Sequence, residues 1–200
     1  MEELSETTAD PDPFRQFTRW LNERSVPSDE EQHIAVLGTA GTEGRVAVRV
    51  ILVKGIDNTG FTFFTNYGSR KGNQIAENPF GALLFHWPEI HRQIRIEGRI
   101  EKVPAIKSAE YFEKRPRQSQ LSSWASEQSQ AIPDRKYLDG RVEFYRDKFK
   151  DQLVPRPAEW GGYKLIPLWF EFWQEREHRL HDRIIYKESG NMWIMIRLAP

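Results

Sequence analysis

The sequence predicts a mainly β protein with peripheral α-helices, built on a mostly antiparallel sheet or small barrel. Apolar residues alternate at period two through RVAVRVILVK and RQIRIEGRIEKV, the spacing of strands with one buried face. Glycine-bearing turns such as GTEG and DNTG punctuate the strand-like segments. Those segments also follow one another directly instead of alternating with helices, which argues against a doubly wound parallel sheet. A chain of 200 residues is long enough to bury a real core, and residues 1–200 are read as a single domain with 1–11 disordered.

Taken in order, Asp12 and Pro13 supply an N-cap and a first-turn proline, after which Phe14, Phe17 and Leu21 form one helical stripe. HIAVLGTA and RVAVRVILVK are expected as strands joined at GTEG, with Val46, Val48, Val50 and Leu52 on one face. FTFFT follows the turn DNTG, and FGALLFHW and RQIRIEGRIEKV extend the series. In the last of these Ile94, Ile96 and Ile100 share one side and Gln93, Arg95, Glu97 and Arg99 the other, so one face meets a core and the other water or a ligand. AIKSAEYFEK reads as a helix, and Leu138, Val142, Tyr145 and Phe149 recur at the spacing of an amphipathic one. LVPRPAEWGGY is a proline- and glycine-rich connector. KLIPLWFEFWQ, DRIIYKE and NMWIMIRL close the chain as strands, the last two joined around Ser189-Gly190-Asn191.

Composition excludes several functions. Lys plus Arg number 29 against 29 Asp plus Glu, so no global field draws the chain to nucleic acid or an anionic membrane, and any anion site must be a local cluster. The absence of cysteine removes disulfides, thiolate metal sites and thiol nucleophiles. MEELSETTADPDP is acidic and lacks an apolar signal region, and no apolar run approaches membrane-spanning length, which predicts a soluble, cytoplasmic protein. There is no GxxxxGK[ST], and GTAGTEG is not a dinucleotide fingerprint.

What remains is a set of basic and hydroxyl clusters at element ends. In TNYGSRKGNQ, Ser69 can cap a helix whose first turn carries Arg70 and Lys71, so free backbone N–H groups, a hydroxyl and two cations could converge on a phosphate. An ordinary solvated helix start fits the same residues. Arg49 and Lys54 are an odd number of positions apart and would face opposite ways on a regular strand, unless a bulge intervenes. Tyr111 with KRPRQSQ offers Arg115, Arg117 and Ser119 as a second anion cluster, or as a solvated helix end. Trp124, Gln128 and Ser129 in WASEQSQ could bond a heteroaromatic edge or lie in a surface loop. Trp173 suits a core or a planar ligand. RLHDR, residues 179–183, concentrates charge between two strand-like runs; its HxxH with His178 lacks the further ligands a metal would need.

Together, RVILVK, FFTNYGSRKG, RQIRIEGRIEK, YFEKRPRQSQLSSWASEQSQ, WGGY, EFWQ, RLHDR and the terminal RLAP resemble the pyridoxine/pyridoxamine 5′-phosphate oxidase family from about Asp12 to Pro200. That resemblance implies an FMN-binding split barrel working as a homodimer with FMN at the subunit interface. It assigns Arg49, Val50, Ile51, Leu52, Val53, Lys54, Phe64, Thr65, Ser69, Arg70, Lys71, Gln93, Gln128, Ser129, Trp173 and Arg183 to FMN, part of them from the second subunit. It assigns Lys54, Tyr111, Arg115 and Ser119 to the substrate phosphate, and Arg179, Leu180 and His181 to the pyridine side, with Arg179 and His181 as the catalytic pair. The implied reaction oxidises pyridoxine 5′-phosphate or pyridoxamine 5′-phosphate to pyridoxal 5′-phosphate, with hydride passing to flavin N5 and dioxygen returning as hydrogen peroxide. Related flavin oxidases of the phenazine-pathway type and a non-catalytic flavin- or pyridoxal-phosphate-binding protein are the competing readings. Two departures stand out: Phe64 occupies a position where relatives often carry tyrosine, and MEELSETTAD is acidic where many relatives carry a basic, tyrosine-containing segment that covers the substrate.

Overall fold

The structure, a computed structural model, describes residues 3–24, 33–190 and 192–200. It begins with helix α1 (Pro13–Asn22), capped by the Asp12 carboxylate, which accepts from the Phe14 N–H at 2.8 Å. Eight strands follow: β1 (Ile34–Ala40), β2 (Val46–Asp57), β3 (Gly60–Asn66), β4 (Phe80–Trp87), β5 (Arg92–Lys102), β6 (Trp160–Gln174), β7 (Asp182–Ser189) and β8 (Met192–Arg197). Helix α2 (Arg70–Glu77) separates β3 from β4, and α3 (Ala105–Lys114), α4 (Arg117–Ala125) and α5 (Arg135–Lys148) lie between β5 and β6.

All pairings are antiparallel, in the order β3-β2-β1-β4-β5-β6-β7-β8. The first half of β6 also pairs with β3, from Phe61 opposite Leu165 to Asn66 opposite Trp160, and this closes β1 to β6 into a barrel. Closure removes the exposed edges an open sheet would leave, and β7 and β8 continue outward from β6. The barrel interior is filled from every strand: Leu37, Val53, Phe61, Phe85, Ile94, Ile96, Phe170 and Phe172 are all fully buried, and α1 inserts Phe17 and Trp20. Edge-to-face ring contacts such as Phe17 with Phe61, at 5.1 Å and 71°, pack this aromatic core.

Two features differ from the sequence expectation, and a third adds what it left open. Val46, Val48, Val50 and Leu52 do share a face of β2, but it is the outward one, with Val46, Val48 and Val50 at 71, 68 and 67% exposure. Both faces of β2 are apolar, so alternation identifies the pair of faces without saying which points inward. Residues 3–11, expected to be disordered, pack instead on the barrel: Leu4 is 2% exposed, and the Tyr186 hydroxyl donates to the Asp10 carbonyl at 2.6 Å. Finally, RQSQLSSWA forms helix α4, where only a helix end and a loop were expected. Asn191, assigned to the last turn, lies outside the described residues. Among the described residues no helix is long and apolar enough to cross a membrane.

Candidate active site

A cleft of about 590 Å³ opens between β2, the end of β3, the start of α2, helix α3 and the loop after α4. Arg49, Lys54, Arg70, Lys71 and Arg115 line it, with no aspartate or glutamate. Arg49 and Lys54 reach the same cleft because the β2 register against β3 shifts between Val53 and Gly55, the bulge that their odd spacing required.

The α2 end of the cleft is built by its cap. The Ser69 hydroxyl donates to the Asn66 carbonyl at 2.7 Å and accepts from the Gly72 N–H at 3.3 Å, which caps the first turn of α2 beside Arg70 and Lys71. Gly72 is required because a Cβ there would lie 2.0 Å from the Tyr67 carbonyl oxygen. Lys71 is 8% exposed and donates to Thr65 Oγ1, Gln128 Oε1 and Ser69 Oγ at 3.0, 3.2 and 3.3 Å. Burial, with Arg49 nearby, pulls its ammonium down to about 8. Arg49 donates to Thr39 Oγ1 at 2.6 Å and the Leu37 carbonyl at 3.1 Å, and burial beside Arg70 lowers it too. Among the described residues neither Lys71, Arg49, Arg70 nor Arg115 forms an ion pair with a carboxylate. Lys71, Arg49 and Arg115, desolvated without counter-charge, are a site prepared for an anion.

At the α3 end, Arg115 donates to Ser123 Oγ at 2.6 Å, its guanidinium lies 4.7 Å from the Trp160 ring centroid, and burial lowers it. Trp160 also stacks on Phe64 at 5.5 Å and 10°, and Phe64 on Tyr111 at 3.9 Å and 13°. Phe64 therefore contributes an aromatic wall, and its missing hydroxyl leaves the stack intact. Sequence reasoning overlooked Ala47, Val48 and Trp160 in the lining, and Ser123 behind it. The WGGY segment signals Trp160, and Ser123 one helical turn after Ser119 could have been found by spacing.

Thus Val50, Ile51, Leu52, Phe64, Thr65, Tyr111, Gln128 and Ser129 join the five cations at the cleft. Val53 does not, because its side chain is fully buried in the core. Ser69 sits behind the cleft as the cap, and Ser119 lies on α4 with its carbonyl accepting from Ser123 Oγ at 3.0 Å.

Gln93, Trp173, Arg183 and His181 form a second group elsewhere. Gln93, Trp173 and Arg183 are in register across β5, β6 and β7. The His181 ring lies 4.6 Å from that of Trp173, which is half-buried and outside the core. His181 Nδ1 accepts from the Arg176 N–H at 3.2 Å, which places the neutral ring's proton on Nε2. Arg183 Nε donates to Glu171 at 2.5 Å. Arg179 and Leu180 are exposed, and His178 and Arg179 adopt positive φ of 55° and 62°. Trp160 opens β6 and Trp173 stands one residue from its end, so at about 3.3 Å per residue roughly 40 Å of strand lies between the groups. Along one chain the cation-lined cleft and the Trp173–His181 group thus lie toward opposite ends of β6.

Over residues 10–149 the chain matches the family Pyridoxamine 5′-phosphate oxidase, and over residues 160–200 the Pyridoxine 5′-phosphate oxidase C-terminal dimerisation region. It is 48% identical over 198 residues to the pyridoxine/pyridoxamine 5′-phosphate oxidase of Cupriavidus necator, covering 98% of this chain and 93% of that protein. The enzyme of the same name from a Cyanothece species is 46% identical over 197 residues, covering 98% and 92%. Among solved structures, PhzG from Burkholderia lata in complex with tetrahydrophenazine-1-carboxylic acid superposes with TM-score 0.90 at 30% identity, covering 100% of this chain and 99% of that one. A pyridoxamine 5′-phosphate oxidase-related, FMN binding protein from Nostoc punctiforme shares the fold, at TM-score 0.66 and 16% identity over 84% and 87% of the two chains. With matched regions covering nearly all of its length, a closed antiparallel barrel and a cation-lined cleft, this chain is an oxidoreductase that belongs to the pyridoxine/pyridoxamine 5′-phosphate oxidase family.

Proposed function

We propose that this protein is a cytoplasmic FMN-dependent oxidase that converts pyridoxine 5′-phosphate and pyridoxamine 5′-phosphate to pyridoxal 5′-phosphate, working as a homodimer with FMN at the subunit interface. The observation that carries this is the carboxylate-free cluster of Arg49, Arg70, Lys71 and Arg115 in one cleft, with cations at both ends. The donor set fits FMN: Arg49, Arg70, Lys71 and the N-terminus of α2 hold its phosphate, and Thr65, Gln128 and Ser129 bond the remainder. At the other end Lys54, Tyr111 and Arg115 in the cleft, joined by Ser119 from α4, take the substrate phosphate, with Tyr111 giving it an aromatic floor.

The two groups lie toward opposite ends of β6, which supports taking Gln93, Trp173, Arg179, Leu180, His181 and Arg183 from the second subunit. The outward apolar face of β2 and the matched dimerisation region support that assembly. Bound FMN supplies the two-electron acceptor that dioxygen reoxidises. Arg179 orients the substrate, since a guanidinium donates hydrogen bonds and accepts none. His181 Nε2 handles the proton at the substrate oxygen or amine, with Nδ1 pinned by Arg176. Trp173 and the barrel wall keep water from the reacting ring.

The test is anaerobic: pyridoxine 5′-phosphate should bleach the flavin band of the FMN-loaded protein, air should restore it, and pyridoxal 5′-phosphate should accumulate. A band that persists with both the alcohol and the amine would overturn the proposal. The likeness to PhzG favours a second reading, oxidation of a phenazine-type ring. The Tyr111 and Arg115 anion pocket and the higher identity to the B6 enzymes argue for the phosphate substrates; bleaching by a reduced phenazine carboxylate alone would reverse that choice.

A further inference from the structure

Residues 3–10 are tied to the barrel at several points. Leu4 is buried at 2% exposure, Arg19 donates to the Thr8 carbonyl at 2.9 Å, and the Tyr186 hydroxyl reaches the Asp10 carbonyl. The side chain that Glu6 contributes meets Arg197 at the end of β8, whose Nε and Nη2 donate to its carboxylate at 3.1 and 2.9 Å. Arg197 Nη2 also donates to the Leu4 carbonyl at 3.2 Å, and Nη1 to Asp182 Oδ1 at 2.9 Å. Asp182 Oδ2 in turn accepts from Arg176 Nε at 2.6 Å.

Arg176 and Asp182 are the two ends of the loop that carries Arg179 and His181. Within that loop the Leu180 N–H bonds the Glu177 carbonyl at 3.1 Å, and His178 and Arg179 stand at positive φ, a conformation that persists only when the surroundings impose it. Leu180 is 68% exposed, so within this chain the loop's packing is limited to the His181 ring against Trp173. An isolated exposed ion pair would hold it weakly. Here Arg197 uses all three guanidinium nitrogens and Asp182, 11% exposed, uses both oxygens, so each pair fixes the geometry of the next.

We propose that the ion-pair chain Glu6–Arg197–Asp182–Arg176 is a strap by which segment 3–10 sets the loop of Arg179 and His181 against the substrate, making Glu6, Arg197 and Asp182 positioning residues for the oxidase reaction. This rests on the assignment of Arg179 and His181 to the substrate given above. It also gives the acidic MEELSETTAD, which departs from the family pattern, a function: its carboxylate completes the network from outside the barrel.

The test compares FMN-loaded full-length protein with Glu6→Gln, Glu6→Asp and a form lacking residues 1–8. It reads kcat and KM for pyridoxine 5′-phosphate, FMN affinity, and hydrogen exchange of the peptide spanning 174–183. Exchange in that peptide should accelerate and kcat should fall roughly threefold in Glu6→Gln and roughly tenfold in the shortened form, the range expected for one exposed pair and for a network. Glu6→Asp should recover part of both, and FMN affinity should stay within about threefold of the parent, a small change on the affinity scale. Parental exchange and kcat in the shortened form would overturn the strap. Faster exchange with unchanged kcat would also overturn it, leaving the segment a structural tie alone. If the parent oxidises neither B6 phosphate, the proposed function fails separately, and the exchange comparison still decides whether segment 3–10 holds the loop.

Discussion

Burial among Thr65, Ser69 and Gln128 brings Lys71 to about 8, and this makes anion binding pH-dependent. The protonated form is the one that holds a phosphate, so FMN affinity should weaken as pH rises through about 8, and fluorescence titrations of FMN across that range will show it. Lys71→Arg should abolish the dependence. For the ligand-free chain the sign runs the other way. Its folded value lies below the ordinary 10.5, so the charged Lys71 costs stability below about pH 8, and that cost is relieved as pH climbs toward 10.5. Denaturant melts at pH 7.5 and 9.5, with Lys71→Met as control, measure it. Trp160 is the second residue with a definite expectation. Its ring lies under the Arg115 guanidinium, a contact of about 0.5–2 kcal/mol, so Trp160→Leu should raise KM for the phosphate substrates several-fold while kcat changes less, and Trp160→Phe should recover most of the loss. Steady-state kinetics with both variants checks this.

The β3–α2 element shows why the SRKG stretch could be recognised from sequence. Capping by Ser69 is local chemistry, and Gly72 answers to one close backbone approach, so both are visible as residue types at fixed spacing. Gly72→Ala must push α2 away from Tyr67, costing about 1–3 kcal/mol by overpacking and tilting the N–H groups proposed to hold the phosphate. We expect a lower Tm together with weaker FMN binding; a lower Tm with parental FMN affinity would mean that the helix start does not touch the phosphate. In β2, by contrast, the convergence of Arg49 and Lys54 depended on a bulge between Val53 and Gly55 that no local rule specifies. Helix α4 was equally illegible: RQSQLSSWA is mostly polar with a single apolar turn, and it is helical because Leu121 and Ala125 pack in context.

Across the molecule, the two half-sites at opposite ends of β6 lead to a complementation experiment. Lys71→Met removes a cation from one proposed half-site and His181→Ala removes the proposed proton-handling group from the other. Each homodimer has two damaged sites, whereas a mixed dimer has one intact site and one doubly damaged. Co-expression of the two variants should therefore restore up to about a quarter of parental activity, from statistical pairing of subunits across a two-fold axis. No recovery in a preparation shown to contain mixed dimers would place both groups in one subunit's site.

Local chemistry was enough to specify the strand-rich architecture, the helix caps at Asp12 and Ser69 and the identity of most cleft residues, because alternation, capping and cation clusters are written in neighbouring positions. Contacts between distant segments decided the rest. Which face of β2 turned inward depended on barrel closure through the β3–β6 pairing, since both faces are apolar. Val53 went to the core, and Trp160 came to Arg115 from 45 positions along the chain, under forces that no short window contains. The same holds for the acidic segment: its charge was plain from composition, but only the folded chain brought Glu6 to Arg197 and, through Asp182, to the loop of His181, because an ion pair has a partner only once the backbone has placed one within reach.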